Sequence, residues 1–323
     1  MQGGTVQEGM RASDAGRGRW GTYVLITPAR DEETFIEETI QSVLSQTVLP
    51  RRWVIVSDGS ADRTDTIVRA YTERYPWMTL IRVPDNNGRN FASKAHAFNA
   101  GYATVKDLDY DLIGNLDADL SFESDYFEYL LRQFDRYPEL GVAGTPFVED
   151  PGVRCDYRVA NIEHVSGGCQ LFRRKCFESI GGYVPIEGGG IDWVAVTTAR
   201  MRGWRTQTFT GKSLQHLRRM GTGNGSLLAG KLKLGREDYY VGGHPLWEVL
   251  RSVYQMKNKP YILGGACILI GYLASAASRM DRPVPAELVA FHRSEQKQRL
   301  RRIVSRAIHS LKPGAGDADR ECR

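Results

Sequence analysis

Several signatures are missing from the 323-residue sequence, and each absence narrows its class. The five cysteines, Cys155, Cys169, Cys176, Cys267 and Cys322, form no Cys-x-x-Cys pair, and an odd number in a chain this long is not a disulfide framework. That usage fits a reducing, cytoplasmic setting. Residues 1–19 hold no apolar stretch of the roughly 7 to 15 residues that a signal peptide needs, so residues 1–20 are expected to be disordered rather than an anchor. No repeat period is present, which argues against a solenoid. No Gly-x-Gly-x-x-Gly follows the first apolar segment, where a dinucleotide-dependent oxidoreductase needs close backbone approach to pyrophosphate. Positive charge is also scarce over most of the chain. Lys and Arg balance Asp and Glu at 32 each before Arg279, and the whole surplus of five lies in residues 279–323. Nucleic-acid binders carry basic charge across a folded face, so no nucleic-acid partner is expected.

What remains is an ordinary globular composition, 41% apolar and 25% charged. Tyr23 to Thr27 (YVLIT) and Trp53 to Ser57 (WVIVS) are continuous, β-branched runs of the kind that form buried parallel strands. Between them Phe35, Ile36, Thr39, Ile40, Val43 and Leu44 recur at helical spacing, and Pro50 bounds the segment, giving a strand-helix-strand unit. Ala61 to Tyr75 reads as a second helix, Thr79 to Val83 as a third strand, Ser93 to Val105 as a third helix and Asp111 to Leu116 as a fourth strand. Such alternation predicts a doubly wound α/β sheet, whose ligands sit at the carboxyl ends of the strands.

The second half is less regular. Glycine clusters at 167–168, 181–182 and 188–190 suggest backbone turning close to a ligand, ahead of a helical run from Trp193 to Met201. Past Gly243 the character changes: Leu246, Val249, Leu250 and Val253 have amphipathic spacing, and Tyr261 to Ser278 is 18 residues without a charge. As a helix that segment would be about 27 Å long, just short of a ~30 Å hydrocarbon core. A single crossing from the cytoplasm would put the basic stretch Arg293 to Arg306 on the far side, against the positive-inside tendency, so a peripheral or re-entrant element is expected. Packing against protein is the competing account of both segments. The expected organisation is therefore a disordered segment at 1–20, a catalytic domain at 21–240, a helical membrane-association region at 241–311 and a disordered tail at 312–323.

Three strand-end motifs could carry chemistry. Asp117-Ala118-Asp119 follows an apolar strand, and residues i and i+2 of an extended segment point the same way, offering two carboxylates to one hard cation, Mg²⁺ or Mn²⁺. Read alone, it is equally an acidic, solvated turn. In Ser57-Asp58-Gly59-Ser60-Ala61-Asp62-Arg63-Thr64 a carboxylate again emerges at a strand end, with Asp58 read as ligand and Asp62 as helix cap. The histidines at 96, 164, 244 and 292 lack the i, i+4 pairing of metal sites and are taken as structural.

Taken in order, TPARDEE at 27–33, SDGSADRT at 57–64 and DAD at 117–119 resemble the inverting family 2 glycosyltransferases. The resemblance covers about residues 21–220. Gly167-Gly168-Cys169-Gln170 with Arg173 is similar to the family's acceptor-side strand, and Gly190-Ile191-Asp192-Trp193 stands where its catalytic acidic motif does. His216, Arg218 and Arg219 resemble the late His/Arg element near the diphosphate, and Lys94 and Asn99 in NFASKAHAFNAG a helix near the sugar. Two positions depart from the pattern. Ser57 replaces the first Asp of the Asp-Asp-Gly-Ser sequence, and Gly190-Ile191 replaces the usual Glu, leaving Asp156 and Glu187 as alternative bases.

The resemblance implies a GT-A fold, a Rossmann-like mixed α/β sheet flanked by helices, to which the C-terminal helical region is appended. It implies a metal-dependent, inverting hexosyltransferase acting on a nucleotide-diphosphate sugar and a lipid-linked or polysaccharide acceptor, in envelope or exopolysaccharide synthesis at the cytoplasmic membrane face. Pro28, Arg30, Glu32, Asp58, Lys94, Asp117, His216 and Arg219 would then bind the nucleotide-sugar, and Asp117 and Asp119 the metal. Asp192 would be the general base, and Gly168, Cys169, Gln170 and Trp193 would face the acceptor. The competing class is a catalytically inactive scaffold that keeps the fold and organises membrane partners.

Overall fold

The computed structural model describes residues 21–84, 91–148, 162–218 and 227–310. The chain divides into two compact units, Met1–Met220 and Gly221–Arg323. In the first, the expected alternation is present: β1 (Tyr23–Ala29), α1 (Ile36–Leu44), β2 (Arg52–Asp58), α2 (Thr64–Thr72), β3 (Met78–Val83), α3 (Phe91–Val105) and β4 (Leu112–Leu116). There follow β5 (Leu120–Ser121), α4 (Tyr126–Arg136), β6 (Leu140–Gly144), β7 (Phe147–Val148), β8 (Cys169–Arg173), α5 (Arg174–Ser179), α6 (Ile191–Met201), β9 (Arg205–Thr208) and β10 (Leu214–His216).

A seven-stranded sheet runs in the order β3-β2-β1-β4-β8-β6-β9. The first four strands are parallel, and β8 enters antiparallel between β4 and β6, so the sheet is mixed. A small sheet, β5-β10-β7, lies beyond the end of β4. The strands are continuous apolar runs because both of their faces are covered: Leu25, Ile26, Trp53, Val54, Ile55 and Ile113 are at most 1% exposed. Each such side chain stabilises the fold by roughly 1.5–3 kcal/mol relative to exposure. The one polar atom of Trp53 donates to Thr27 Oγ1 at 2.9 Å, so its burial leaves no unmet donor. The consequence for function is topological: the carboxyl ends of β1, β2 and β4 come together at one edge, and antiparallel β8 starts where β4 stops, with Asn115 opposite Gln170.

The second unit is helical: α7 (Leu227–Tyr240), α8 (Pro245–Gln255), α9 (Leu263–Ala277) and α10 (Ala286–Ser310). α7, expected in the catalytic domain, belongs here because its backbone packs on α9. A Cβ on Gly235 would collide with the Ile268 carbonyl oxygen, a closeness only glycine allows. His244 caps α8, its Nδ1 accepting from the Leu246 amide at 3.2 Å, and Pro245 opens the helix. α9 is 15 residues, shorter than the uncharged run that predicted it, and among the described residues no helix is long and apolar enough to cross a membrane.

Candidate active site

Two loops at the carboxyl edge are tied to each other before any ligand arrives. The Glu32 amide donates to Thr64 Oγ1 at 2.8 Å, the Glu33 amide to Asp62 Oδ2 at 2.9 Å, and the Ala61 amide to Asp31 Oδ1 at 2.9 Å. Asp62 also accepts from the Thr64 amide at 2.9 Å, but it is not the helix cap expected: it stands one residue ahead of Arg63, the N-cap of α2, which makes no side-chain capping bond. Burial works against ionisation of Asp62, but these bonds from Thr64 and Glu33 outweigh it and hold the carboxyl below its usual range. Asp58 stands at the end of β2 with Oδ2 3.7 Å from Arg30 Nη1, and Pro28 lies in β1 beside them. Pro28, Arg30, Glu32 and Asp58 thus form one group at the β1 and β2 ends.

The Asp117-Ala118-Asp119 turn is fixed from three sides. Thr39 of α1 bridges the carbonyls of Ala118 and Leu120 with its hydroxyl, at 2.9 Å each, and accepts from the Leu120 amide at 3.0 Å. The Asp117 amide donates to the Gly168 carbonyl at 2.8 Å, and the Leu217 amide, just past β10, donates to the Asp119 carbonyl at 2.9 Å. Arg218 then clamps the side chains, with Nη2 2.5 Å from Glu32 Oε2 and Nε 3.3 Å from Asp119 Oδ2. Its guanidinium also lies 5.2 Å from the centre of the Phe35 ring. Arg218 and Thr39 therefore set the motif's position. Arg218 lies next to the predicted His216, whereas Thr39 looks in sequence like one more residue of the buried helix face.

A cavity of about 230 Å³ opens beside this turn, lined by Lys94, Asp117, Gly168, Gln170, Asp192 and His216 among others. Six of the predicted residues, from five separate stretches of chain, meet there. Lys94 Nζ lies 2.5 Å from Asp117 Oδ1 and 3.4 Å from the Gly167 carbonyl oxygen. Burial disfavours charge on Lys94, but the carboxylates of Asp117, Asp192 and Asp119 outweigh it and raise its pKa, so the ammonium is held charged. Asp117 is shifted upward because its burial outweighs the attraction of Lys94, with Asp119 adding repulsion.

Asp192 sits in the first turn of α6, favoured there by the helix dipole, while the N-cap is Gly190 in the left-handed region (φ 78°). Where the family pattern has its Glu, Gly190-Ile191 thus supplies the left-handed cap and then an apolar side chain that is 5% exposed in the first turn of α6. The Asp192 carboxylate packs against Gly167 so closely that a Cβ there would meet Oδ2 at 2.9 Å. Gln170, fully buried, donates to the Val165 carbonyl at 2.8 Å and accepts from the Tyr183 hydroxyl at 2.5 Å, locking the wall behind Asp192. Of the alternative bases, Glu187 is exposed and does not line the cavity, and Asp156 lies outside the described residues.

Two acceptor-side expectations are corrected. Cys169 faces the hydrophobic core, because successive strand residues point to opposite faces and Gly168 and Gln170 take the cavity side. Burial pushes its thiol up to about 12, leaving it protonated and inert. Trp193 does not line the cavity either, since one step along a helix turns a side chain about 100° away from Asp192. Arg219 lies outside the described residues.

For a divalent cation the residues present fit with one change of partner. Asp117 is already engaged by Lys94. Asp119 Oδ1, however, lies 3.7 Å from His216 Nε2, too far for a hydrogen bond. His216 Nδ1 abuts the Arg218 carbonyl, which can only accept, so Nδ1 is the donor and Nε2 is the nitrogen that faces Asp119. Neighbouring donors about 2.1 Å from one octahedral ion lie about 3.0 Å apart, so Asp119 and His216 would have to draw together by roughly 0.7 Å to share one. Among the described residues no three His, Cys, Asp or Glu side chains converge to hold a metal, so phosphate oxygens and water would complete such a shell.

Carboxylates at the ends of parallel strands, with an antiparallel strand and an acidic helix start closing the pocket, define a GT-A-like glycosyltransferase fold. The model of the family described as glycosyl transferase family 2 matches residues 24–181, a little under half of the chain. It is 29% identical over 180 residues to a poly-beta-1,6-N-acetyl-D-glucosamine synthase of Staphylococcus epidermidis, covering 50% of this chain and 41% of that protein. To the synthase of the same name from Staphylococcus aureus strain COL it is 30% identical over 131 residues, 40% of this chain and 29% of that one. The match thus spans less than half the length of these relatives. Among solved structures, the mannosyltransferase PcManGT from Pyrobaculum calidifontis in complex with GDP-Man and Mn²⁺ superposes with a TM-score of 0.53 at 19% identity, over 91% of this chain and 81% of that one. S. aureus TarS 1–349 in complex with UDP-GlcNAc gives 0.52 at 17%, over 84% and 78%. At these identities the likeness is one of fold.

Proposed function

We propose that the chain transfers a hexose-type sugar from a nucleotide-diphosphate donor to a hydroxyl of a lipid-linked or polysaccharide acceptor, with inversion at the anomeric carbon. The observation that carries this is the single cavity in which Asp192, Lys94, Asp117 and His216 converge beside Asp119. Asp192 takes the acceptor hydroxyl proton as the new C1–O bond forms on one face. The bond from C1 to the diphosphate oxygen breaks on the other, its electron pair leaving with the diphosphate. Direct displacement of this kind inverts the centre. Lys94 supplies fixed positive charge in the cavity, and the Arg30–Asp58 group is suited to polar contacts with the nucleoside. Asp119 and His216 would hold a Mg²⁺ or Mn²⁺ ion, which when bound neutralises charge on the diphosphate. The relatives named for poly-N-acetylglucosamine synthesis and the UDP-GlcNAc held by TarS support a UDP-linked amino sugar and a glycan acceptor. The free thiols of Cys169, Cys176 and Cys267 suit a cytoplasmic site.

The test is calorimetric titration of UDP, GDP, dTDP and CMP, each with and without Mn²⁺, into the wild type and Asp119→Ala. One nucleotide, expected to be UDP, binds in a cation-dependent manner, and the variant loses that dependence. Absence of binding by a demonstrably folded wild type would overturn the reading.

A further inference from the structure

Apolar surface is distributed very unevenly. Of the 18 large hydrophobic side chains exposed among the described residues, 15 belong to the helical unit. On α8 these are Leu246, Val249, Leu250, Val253 and Tyr254, which at about 100° per residue fall within an arc of about 140°. Glu248 and Ser252, on the opposite side of the same helix, are at most 1% exposed. α9 buries Gly264, Gly265, Ile268, Gly271, Tyr272 and Ser275, and turns Leu263, Ile270, Leu273, Ala274 and Ala277 outward, a strip with no polar residue. The turn between the two helices exposes Tyr261 and Ile262 together with Lys257 and Lys259. The uncharged run 261–278 is therefore half core and half surface, and α8 contributes as much to that surface as α9.

Charge follows the same division. Residues 221–323 carry 17 Lys/Arg against 9 Asp/Glu, whereas residues 1–220 carry 26 against 29. The terminal segments outside the described residues offer little to cover the face: 311–323 has one large apolar residue, Leu311, and 1–20 is mainly glycine and polar residues. An apolar stripe bordered by lysines, on a unit carrying all of the chain's net positive charge, complements a surface that is anionic outside and apolar a few ångströms in.

We propose that the helical unit docks onto an anionic lipid bilayer through the outer faces of α8 and α9, lying in the interface rather than crossing it. The face is read from this unit alone.

The experiment is co-sedimentation of the full chain with vesicles of phosphatidylcholine alone or mixed with phosphatidylglycerol, at low and high salt. Wild type is expected to pellet with the anionic vesicles, less at high salt, and the pair Leu250→Glu, Val253→Glu to lose at least tenfold in partitioning. A milder pair, Leu250→Ala with Val253→Ala, should fall between them. Val184→Glu, at an exposed apolar position of the first unit, should behave as wild type. Circular dichroism establishes that each variant is folded. Wild type remaining in the supernatant with both vesicle types would overturn the proposal, as would undiminished binding by the glutamate pair. Light scattering that shows a dimer dissolved by the glutamate pair would also overturn it, assigning the face to a second copy.

Discussion

Gly167→Ala tests the site through a contact of a few tenths of an ångström. A Cβ at 167 would stand 2.9 Å from Asp192 Oδ2, 3.0 Å from its Cβ and 3.1 Å from its Cγ. Relaxed carbon contacts begin near 3.5 Å, so the carboxylate must retreat by about half an ångström. It cannot do so freely, because Gln170 and Tyr183 are bonded to each other in the wall behind it. Misplacing a reacting group by 1 Å costs on the order of 10²-fold in rate, so half that displacement predicts a fall in kcat of about tenfold. Donor affinity should change little, since Asp119 and Arg218 are held by other contacts. The assay is kcat at saturating donor and acceptor, beside calorimetric titration of the nucleotide. Gly230→Ala is the control: nothing lies within 4 Å of its added methyl, and the helix should gain about 0.5–1 kcal/mol. A Gly167→Ala enzyme turning over within twofold of wild type would refute the placement of Asp192 as base.

Asp192→Asn removes the base while keeping shape, so kcat should fall about 10²- to 10⁴-fold with nucleotide affinity unchanged, and retained turnover would move the base elsewhere. Glu248, buried in the helical unit, has its carboxyl pushed up by burial from 4.5 to about 7, so the folded state holds the proton more tightly than the unfolded one. Its stabilisation is complete below about pH 4.5 and is lost as pH rises towards 7, by up to about 3 kcal/mol. Hydrogen exchange of α8 at pH 5 and pH 8 should show this loss in wild type and a flat response in Glu248→Gln, and equal slopes in the two proteins would contradict it.

The strands and helices up to residue 116 were legible because each is carried by local pattern: YVLIT and WVIVS could only be buried strands, and Phe35 to Leu44 kept helical spacing. So were the strand-end acids, since a carboxylate directly after a buried strand has few places to go. What could not be read depends on contacts distant in sequence. Antiparallel β8 pairs with β4 some 55 residues earlier, and that pairing, not the local glycines, turns Gln170 into the cavity and Cys169 away from it. Arg218 reaches Glu32 across 186 residues, and Thr39 reaches the Asp117-Ala118-Asp119 turn across about 80. Asp192 is legible in sequence as an acid just ahead of the helical run from Trp193, but its place inside the first turn of α6, behind the left-handed cap Gly190, is seen only in the structure.

The two departures from the family pattern gave the inactive-scaffold reading its support, and the physics of the site weighs against it. Ile191 and Ser57, which replace acids, are both buried, and Asp58 and Asp192 beside them keep a carboxylate at the strand end and on the cavity wall. Asp117, Asp119 and Asp192 repel one another in a partly buried pocket, and Lys94 is drawn in among them against its own desolvation. Gathering these charges costs stability, which a scaffold needing only the fold would recover by replacing them with apolar side chains. A transferase has a use for each: an acid to accept a proton, a fixed cation in the cavity, and an acid beside an imidazole that could close on a metal ion. Their convergence from separate elements, held by buried bonds such as those of Thr39 and Gln170, is the arrangement expected where perturbed groups serve chemistry.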